Sequence, residues 1–368
     1  WALEKWSRVS VAWLAFMAAA LRIGALSCRR SASRFAQPFA SQARFNFKVV
    51  VVNGSKYDLG CSWDAIKDKC EFHHYHDSTP EQIIARSADA DIIVTKELPV
   101  GADIIEKLPS KMKAICEAGT GYNNIDIKAA KEKGLYVCNV PAYSNEAVAT
   151  LAMTYLLNFS ASLFDQQKRL WEGNRDSFTD GMIGGGGTVM YDLPHSEIRG
   201  KVLGVVGGGR IGQSMVDLAL PFGLKCLVYD PYPGKRSDVE WTSLEDLLAR
   251  SDYVSIHCPL FPSTHHLMNS ERLKMMKKSA FLINCARGPV VKEEDLIKEL
   301  NAGTIAGAAL DVQEVEPVEN SSPLFTAKNL VLSPHIGWQR KESRQKLIDT
   351  TVDNCLAIFQ GKPLNVVS

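Results

Sequence analysis

Three residues of this chain have types and settings suited to proton transfer on a small organic anion. Arg287 follows the apolar run Ala280-Phe-Leu-Ile-Asn-Cys285 and precedes Gly288-Pro289. Glu316 comes shortly after the run Ile305 to Val312, which contains Asp311, and precedes Pro317. His335 follows Leu330-Val-Leu332 and Ser333-Pro334, and precedes Ile336-Gly337-Trp338. Each stands just past the carboxyl end of a strand-like segment, the edge at which open α/β sheets bind their ligands. A guanidinium offers two parallel donors to a carboxylate and polarises an oxygen beside it. Histidine moves protons near neutral pH. A carboxylate next to that histidine orients it and favours the imidazolium. Reversible oxidation of a 2-hydroxy acid needs these three services besides a hydride carrier. Taken singly, each residue also has a plainer reading: a surface arginine, a turn glutamate, a hydrogen-bonded histidine.

The hydride carrier is suggested by Lys201 to Asp230. An apolar strand-like run, Lys201-Val-Leu-Gly-Val-Val206, leads into Gly207-Gly208-Gly209-Arg210-Ile211-Gly212, then a helical run, then a second strand ending Leu227-Val-Tyr-Asp230. Gly207, Gly209 and Gly212 match G-x-G-x-x-G in the strand-to-helix frame that gives the pattern its meaning. The first glycine makes the tight turn, the second admits a pyrophosphate to the backbone, and the third lets helix pack on strand. Helix N-terminal amides, including those of Arg210 and Ile211, then face the phosphates. Asp230 at the next strand end accepts hydrogen bonds from an adenosine ribose and repels a 2′-phosphate, which favours NAD over NADP. Lys235 and Arg236, set off by Pro231 and Pro233, read as surface charges. Cys258-Pro259 and Cys285 stand at further strand ends of the same sheet and belong to the expected cofactor-contacting set.

The elements that must position these groups alternate between strand and helix. Phe47 to Val52, Asp91 to Thr95, Ala114 to Cys116 and Leu135 to Cys138 read as strands, with helices such as 80–88 and 125–133 between them. That rhythm predicts a parallel sheet with helices on both faces. Gly119 and Gly121, after the third of these strands, free the backbone to approach a ligand. From Ser144 a long helix begins, with Val148, Leu151, Ala152, Tyr155, Leu156 and Phe159 on one face. After the glycine turn, Tyr253 to Cys258, Ala280 to Cys285, Ile305 to Val312 and Leu330 to Leu332 supply more strands. Residues 173–197, with Gly184 to Gly187 in a row, have no periodicity and read as a loop or arm. His73-His74-Tyr75-His76 reads as a loop of solvated histidines with no cysteine or carboxylate at ligand spacing, so no metal site is expected.

Composition narrows the classes. The 368 residues suffice for about two domains, and 42 basic against 41 acidic residues give no charge bias toward nucleic acid. The nine cysteines form no C-x-x-C pair, and several lie in apolar runs, which predicts reduced, packed thiols. Residues 1–46 stand apart. Between Lys5 and Phe47 there is no acidic residue, while arginine, serine and alanine abound around a short apolar run, Val11 to Leu21. That pattern predicts a targeting leader for a plastid or mitochondrion, with a cytoplasmic protein as the alternative if the segment is foreign to it.

Several motifs in register resemble the D-isomer-specific 2-hydroxyacid dehydrogenases. These are Ala118-Gly-Thr-Gly-Tyr-Asn-Asn-Ile-Asp126, Asn139-Val-Pro-Ala-Tyr-Ser144, Arg199-Gly-Lys-Val-Leu-Gly204, Asn284-Cys-Ala-Arg-Gly-Pro-Val290, Ala309-Leu-Asp-Val312 with Glu316-Pro317, and Ser333-Pro-His-Ile-Gly-Trp338. The resemblance covers about residues 47 to 366. It implies an α/β architecture of two doubly wound parallel-sheet domains. One is a flavodoxin-like substrate domain from residues 47–145 plus 337–368; the other is a Rossmann NAD-binding domain, 146–336. It implies that Arg287 binds substrate, that Glu316 pairs with His335, and that His335 is the acid/base. Backbone at Gly119, Thr120 and Gly121 would hold the substrate carboxylate, with Asp311 near the nicotinamide carboxamide. A homodimer is implied, with residues 146–200 at its interface. Asn123 stands where many members have Asp, a departure without chemical consequence if backbone does the binding. Within the family, the Tyr-Asn-Asn-Ile-Asp and His-Ile-Gly-Trp runs are most similar to glycerate dehydrogenases and hydroxypyruvate/glyoxylate reductases, with D-lactate dehydrogenase as the alternative. A different class, an NAD-sensing corepressor on the same fold, is the other alternative; the leader and the lack of a long disordered tail weigh against it.

Overall fold

In the computed structural model the described residues are 45–175, 193 and 195–368. The expected leader, through residue 44, and the Gly184 to Gly187 run lie outside them. Five strands form a first, wholly parallel sheet: β1 (Lys48–Val51), β2 (Glu71–His74), β3 (Ile92–Thr95), β4 (Ala114–Glu117) and β5 (Tyr136–Cys138). Their spatial order is β2-β1-β3-β4-β5, the flavodoxin-like order, which reverses between β1 and β3. Val50, Ile93, Ile115 and Val137 point to one face, where they pack with Ile83 of α1 (Pro80–Arg86) and Ala130 of α2 (Ile127–Glu132). α1 is capped as its sequence dictates. Thr79 Oγ1 accepts from the Gln82 N–H, and the Gln82 side chain accepts from the Thr79 N–H.

The edge strand at Glu71–His74 departs from the sequence expectation. Glu71-Phe-His-His74 is β2, paired with β1 at the sheet edge, and not the loop expected around the histidines. An edge strand is half solvated, so it carries polar residues without the apolar alternation that advertises a strand. Its histidines are paired with carboxylates: His73 Nε2 lies 2.7 Å from Glu71 Oε1, and His74 Nε2 contacts Asp58 Oδ2. Among the described residues no group of three or more metal-ligating side chains occurs.

Helix α3 (Asn145–Ala161) carries its expected apolar face into the core, with Leu151, Ala152, Tyr155, Leu156 and Phe159 all buried. It ends at Ser162 in the left-handed region, φ 49°, and α4 (Leu163–Trp171) leaves at an angle of 71°. Among the described residues no single helix is long and apolar enough to cross a membrane.

The second sheet has seven parallel strands: β6 (Val202–Val206), β7 (Lys225–Tyr229), β8 (Glu240–Trp241), β9 (Tyr253–Ile256), β10 (Phe281–Asn284), β11 (Gly307–Leu310) and β12 (Leu330–Leu332). Their order, β12-β11-β10-β9-β6-β7-β8, is the doubly wound Rossmann order with one added strand, reversing between β6 and β9. Alternate residues serve two cores. Val206, Val254, Ile256, Leu282 and Leu310 pack with the helices at 244–250, 270–275 and 293–302. Leu203, Val205, Val228, Ile283 and Ala309 pack with α3 and α5 (Arg210–Ala219). Helix α6 (Lys341–Phe359) returns the chain to the first sheet, where Cys355 Sγ lies 3.9 Å from Cys116 Sγ of β4. The eight cysteines among the described residues are all free thiols, seven of them buried.

Candidate active site

A cavity of about 1280 Å³ is lined by residues that follow strands of both sheets. From the second sheet come Cys258, Cys285, Arg287, Asp311, Glu316 and His335; from the first come Lys96, Glu97, Thr120 and Gly121. Carboxyl ends of two doubly wound sheets thus share one cavity, the place such folds bind ligands.

The three residues singled out for chemistry meet here. His335 Nδ1 lies 2.8 Å from Glu316 Oε2, which leaves Nε2 for the cavity. Glu316 Oε1 accepts the Gln313 N–H at 2.9 Å. Burial pushes the Glu316 carboxyl upward, but hydrogen bonds from His335 and Gln313 outweigh it and hold the group below its ordinary value, ionised at neutral pH. The turn that presents His335 is held by Asp311. The backbone oxygen of Asp311 accepts the His335 N–H at 2.8 Å. Its side-chain oxygens accept the N–H groups of Ile336 and Gly337, each at 2.9 Å, and the Ser333 hydroxyl, which also meets Tyr155 Oη. His335 has φ 52°, left-handed for a residue with a Cβ, a conformation costing ~1–3 kcal/mol that these bonds maintain. Asp311, expected beside the nicotinamide, lines the cavity but commits its carboxylate to the histidine turn.

Arg287 follows β10 and is coupled to the Glu316 turn through its neighbour. A Cβ on Gly288 would fall 1.8 Å from the Gln313 carbonyl oxygen, so only glycine lets the two backbones touch. Asn284 Nδ2 donates to the Arg287 carbonyl at 2.9 Å. On the other side of the cavity, a Cβ on Gly121 would lie 3.0 Å from Arg287 Nη2, so the guanidinium already reaches the glycine loop. That loop is braced from behind by Thr120 Oγ1 donating to the Val140 carbonyl and by Asn139 Nδ2 donating to the Thr120 carbonyl. Thr120 and Gly121 line the cavity; Gly119 sits behind it, against Glu117 and Lys96.

The glycine turn has the form a dinucleotide needs. Gly207 has φ 102°, and a Cβ there would strike the Cys258 amide nitrogen at 2.6 Å; one on Gly212 would lie 2.0 Å from the Gly207 carbonyl oxygen. Gly209, the N-cap of α5, has open space beside it. Asp230, one residue past β7, accepts the N–H groups of Gly208 and Tyr232, each at 2.9 Å, which fixes its carboxylate beside the turn. Ile211, Cys258, Pro259 and Cys285 continue the surface into the cavity, whereas Gly207, Gly209, Arg210, Gly212 and Asp230 lie outside it. Burial lifts the Cys258 thiol to about 11 and the Cys285 thiol well above the ordinary range, so both are uncharged walls. Arg236 is not a loose surface charge: it is paired with Asp217 at 2.7 Å and Asp238 at 2.6 Å. It is therefore committed rather than available to a 2′-phosphate.

Sequence reasoning passed over four lining residues. His257, at the end of β9, is buried; its Nε2 meets Ser255 Oγ at 2.8 Å, and its Nδ1 has no partner among the described residues. Burial pushes its pKa down to about 4, so it is neutral and leaves one hydrogen-bonding position open beside the glycine turn. Lys96 and Glu97 follow β3, and Tyr143 precedes α3. Trp338 turns inward, edge-to-face with Tyr143 at 6.4 Å. A charged pair after a strand carries no motif, and only the folded chain brings these residues to the cavity.

The glycine turn, the held acid at the second strand end, the open His257 nitrogen and the Arg–Glu–His cluster together define an NAD-dependent dehydrogenase of hydroxy acids. The family model "D-isomer specific 2-hydroxyacid dehydrogenase, NAD binding domain" matches residues 161–337. A hydroxypyruvate reductase of Blautia hydrogenotrophica is 35% identical over 328 residues, covering 87% of this chain and 99% of that protein. A glycerate dehydrogenase of Methylorubrum extorquens is 35% identical over 302 residues, covering 81% of this chain and 92% of its own. The apo-structure of D-lactate dehydrogenase from Escherichia coli superposes with a TM-score of 0.76 at 26% identity, covering 87% of this chain and all of that one. The chain belongs to the D-isomer-specific 2-hydroxyacid dehydrogenase family, and its cofactor is NAD.

Proposed function

We propose that this protein reduces hydroxypyruvate to D-glycerate and glyoxylate to glycolate, and oxidises those acids in reverse. The observation that carries the reading is the His335–Glu316 pair at 2.8 Å facing Arg287 across one cavity. NADH bound at the glycine turn supplies the hydride to C2. Arg287 grips the substrate carboxylate with the backbone of Thr120 and Gly121, and its guanidinium polarises the C2 oxygen. His335 Nε2 gives that oxygen its proton, and Glu316 holds the ring in the required orientation and stabilises the imidazolium. Trp338 and Tyr143 limit the space beyond C2 to a small substituent. Relatives named for hydroxypyruvate, glyoxylate and glycerate support the substrate class.

Oxidation of NADH by the protein is expected with hydroxypyruvate and glyoxylate, with kcat/KM at least ~10-fold below these for pyruvate and phosphohydroxypyruvate. Equal or better turnover of pyruvate would replace the reading with a D-lactate dehydrogenase. We also propose a homodimer. Helix α4, inside the segment expected at the interface, buries no residue and exposes Leu163, Phe164 and Trp171, the last at 80%. Sedimentation equilibrium is expected to give twice the 40.5 kDa chain mass; a monomer at micromolar concentration refutes it.

A further inference from the structure

Lys96 and Glu97 stand at the point where the first sheet reverses its strand order, between β1 and β3. Asn53, fully buried past β1, takes hold of the Lys96 backbone twice: its Nδ2 donates to the Lys96 carbonyl at 2.7 Å, and its Oδ1 accepts the Lys96 N–H at 2.9 Å. Such fixing of a strand end orients the two side chains that follow it. The Lys96 side chain is 3% exposed, its Nζ is bonded to Glu97 Oε1, and it lies 4.5 Å from the centre of the Trp338 ring. Glu97 has φ 58°, and its N–H donates at 3.0 Å to Glu117 Oε1, whose other oxygen accepts from Asn124 Nδ2 at 2.9 Å. A lysine ammonium and the Glu97 carboxylate thus stand at one wall of the active cavity, with the buried Glu117 carboxyl, pushed up to about 7 by desolvation, behind them; the reaction described above uses none of the three.

Their position relative to Arg287 says which part of a substrate they meet. Arg287 Nη2 approaches the glycine loop at Gly121, while Lys96 Nζ approaches its other end, 3.4 Å from where a Cβ on Gly119 would stand. With the carboxylate at Arg287 and the C2 oxygen at His335, the remaining carbon is directed to the Lys96–Glu97 wall beneath Trp338. We propose that Lys96 and Glu97 form the subsite for the substituent on C3, and that they select a neutral hydroxymethyl group. The assignment rests on the 2-oxo acid reading of the cavity. An alcohol is both donor and acceptor, and it meets one of each here: the Glu97 carboxylate accepts its proton and the Lys96 ammonium donates to its oxygen. A second carboxylate or a phosphate meets an ammonium already neutralised by Glu97, with Glu117 behind it. Glyoxylate has no C3, and pyruvate presents a methyl group that offers the buried Lys96 ammonium no hydrogen bond. Sites built to hydrogen-bond a hydroxyl discriminate strongly against ligands that lack it.

The test compares kcat/KM for hydroxypyruvate and glyoxylate in the wild type, Glu97→Ala and Lys96→Met, with NADH binding followed by fluorescence to establish that each variant is folded. The expected result is a fall of about tenfold or more in the hydroxypyruvate-to-glyoxylate ratio in both variants. Either ratio staying within twofold of wild type overturns the assignment. An equal loss on both acids in Lys96→Met overturns it too, because it places the ammonium on the carboxylate the two share. If the wild type turns over neither acid, the substrate reading itself fails; turnover by the wild type with an unmoved ratio removes only the subsite.

Discussion

Replacing His335 with glutamine is expected to lower kcat by about 10³-fold or more, while the dissociation constant for NADH stays within about threefold of wild type. Glutamine matches the ring roughly in size and keeps a polar end near Glu316, but it has no group that gains or gives up a proton near neutral pH. The loss therefore falls on the chemical step. Two features make the outcome specific. His335 receives its orientation from Glu316 Oε2 and its backbone position from Asp311, so the substitution leaves the Asp311-held turn intact. The glycine turn and Asp230, which we propose hold the dinucleotide, lie outside the cavity that His335 lines. Stopped-flow measurement of a single turnover, beside NADH fluorescence titration, separates the two effects. A loss of less than tenfold in the single-turnover rate would mean that another group delivers the proton.

Arg287→Lys is expected to reduce kcat/KM by about 10³-fold for every 2-oxo acid turned over, with NADH binding again little changed. The charge survives, so a purely electrostatic role would lose far less. The planar fork does not survive: one set of donors grips a carboxylate bidentately and also reaches the C2 oxygen, which a single ammonium cannot do. Geometry sharpens the argument, because Arg287 Nη2 already lies against Gly121, the loop that brings backbone donors to the same carboxylate. A shorter, tetrahedral head leaves that contact open. Steady-state kinetics on glyoxylate, the smallest acid, make the cleanest comparison, since no C3 substituent contributes. A decrease below tenfold would show that the loop backbone alone binds the carboxylate.

Much of this protein was legible without coordinates. Buried parallel strands announce themselves as short apolar runs, because both faces of such a sheet are covered, and ten of the twelve strands among the described residues lie in such runs. Gly207 and Gly212 were readable because a tight turn and a close helix leave no room for a Cβ, a constraint written into residue type. Arg287, Glu316 and His335 were readable because each lies within a few residues of the carboxyl end of such a strand. The edge strands β2 and β8 were not: half-solvated and short, they have no apolar pattern to show. Residue order does not show that the Asp311 carboxylate also holds the turn that aims His335. Lys96, Glu97 and Trp338 mark the limit. Thr95-Lys96-Glu97 reads as an ordinary polar strand end, and the inward turn of Trp338 is a rotamer that sequence does not specify. Residue type and local spacing determine which elements form and which turns need glycine, since those depend on near neighbours in the chain. Which charges face each other across the cavity depends on two sheets formed from separate stretches of chain, and only the tertiary structure decides that.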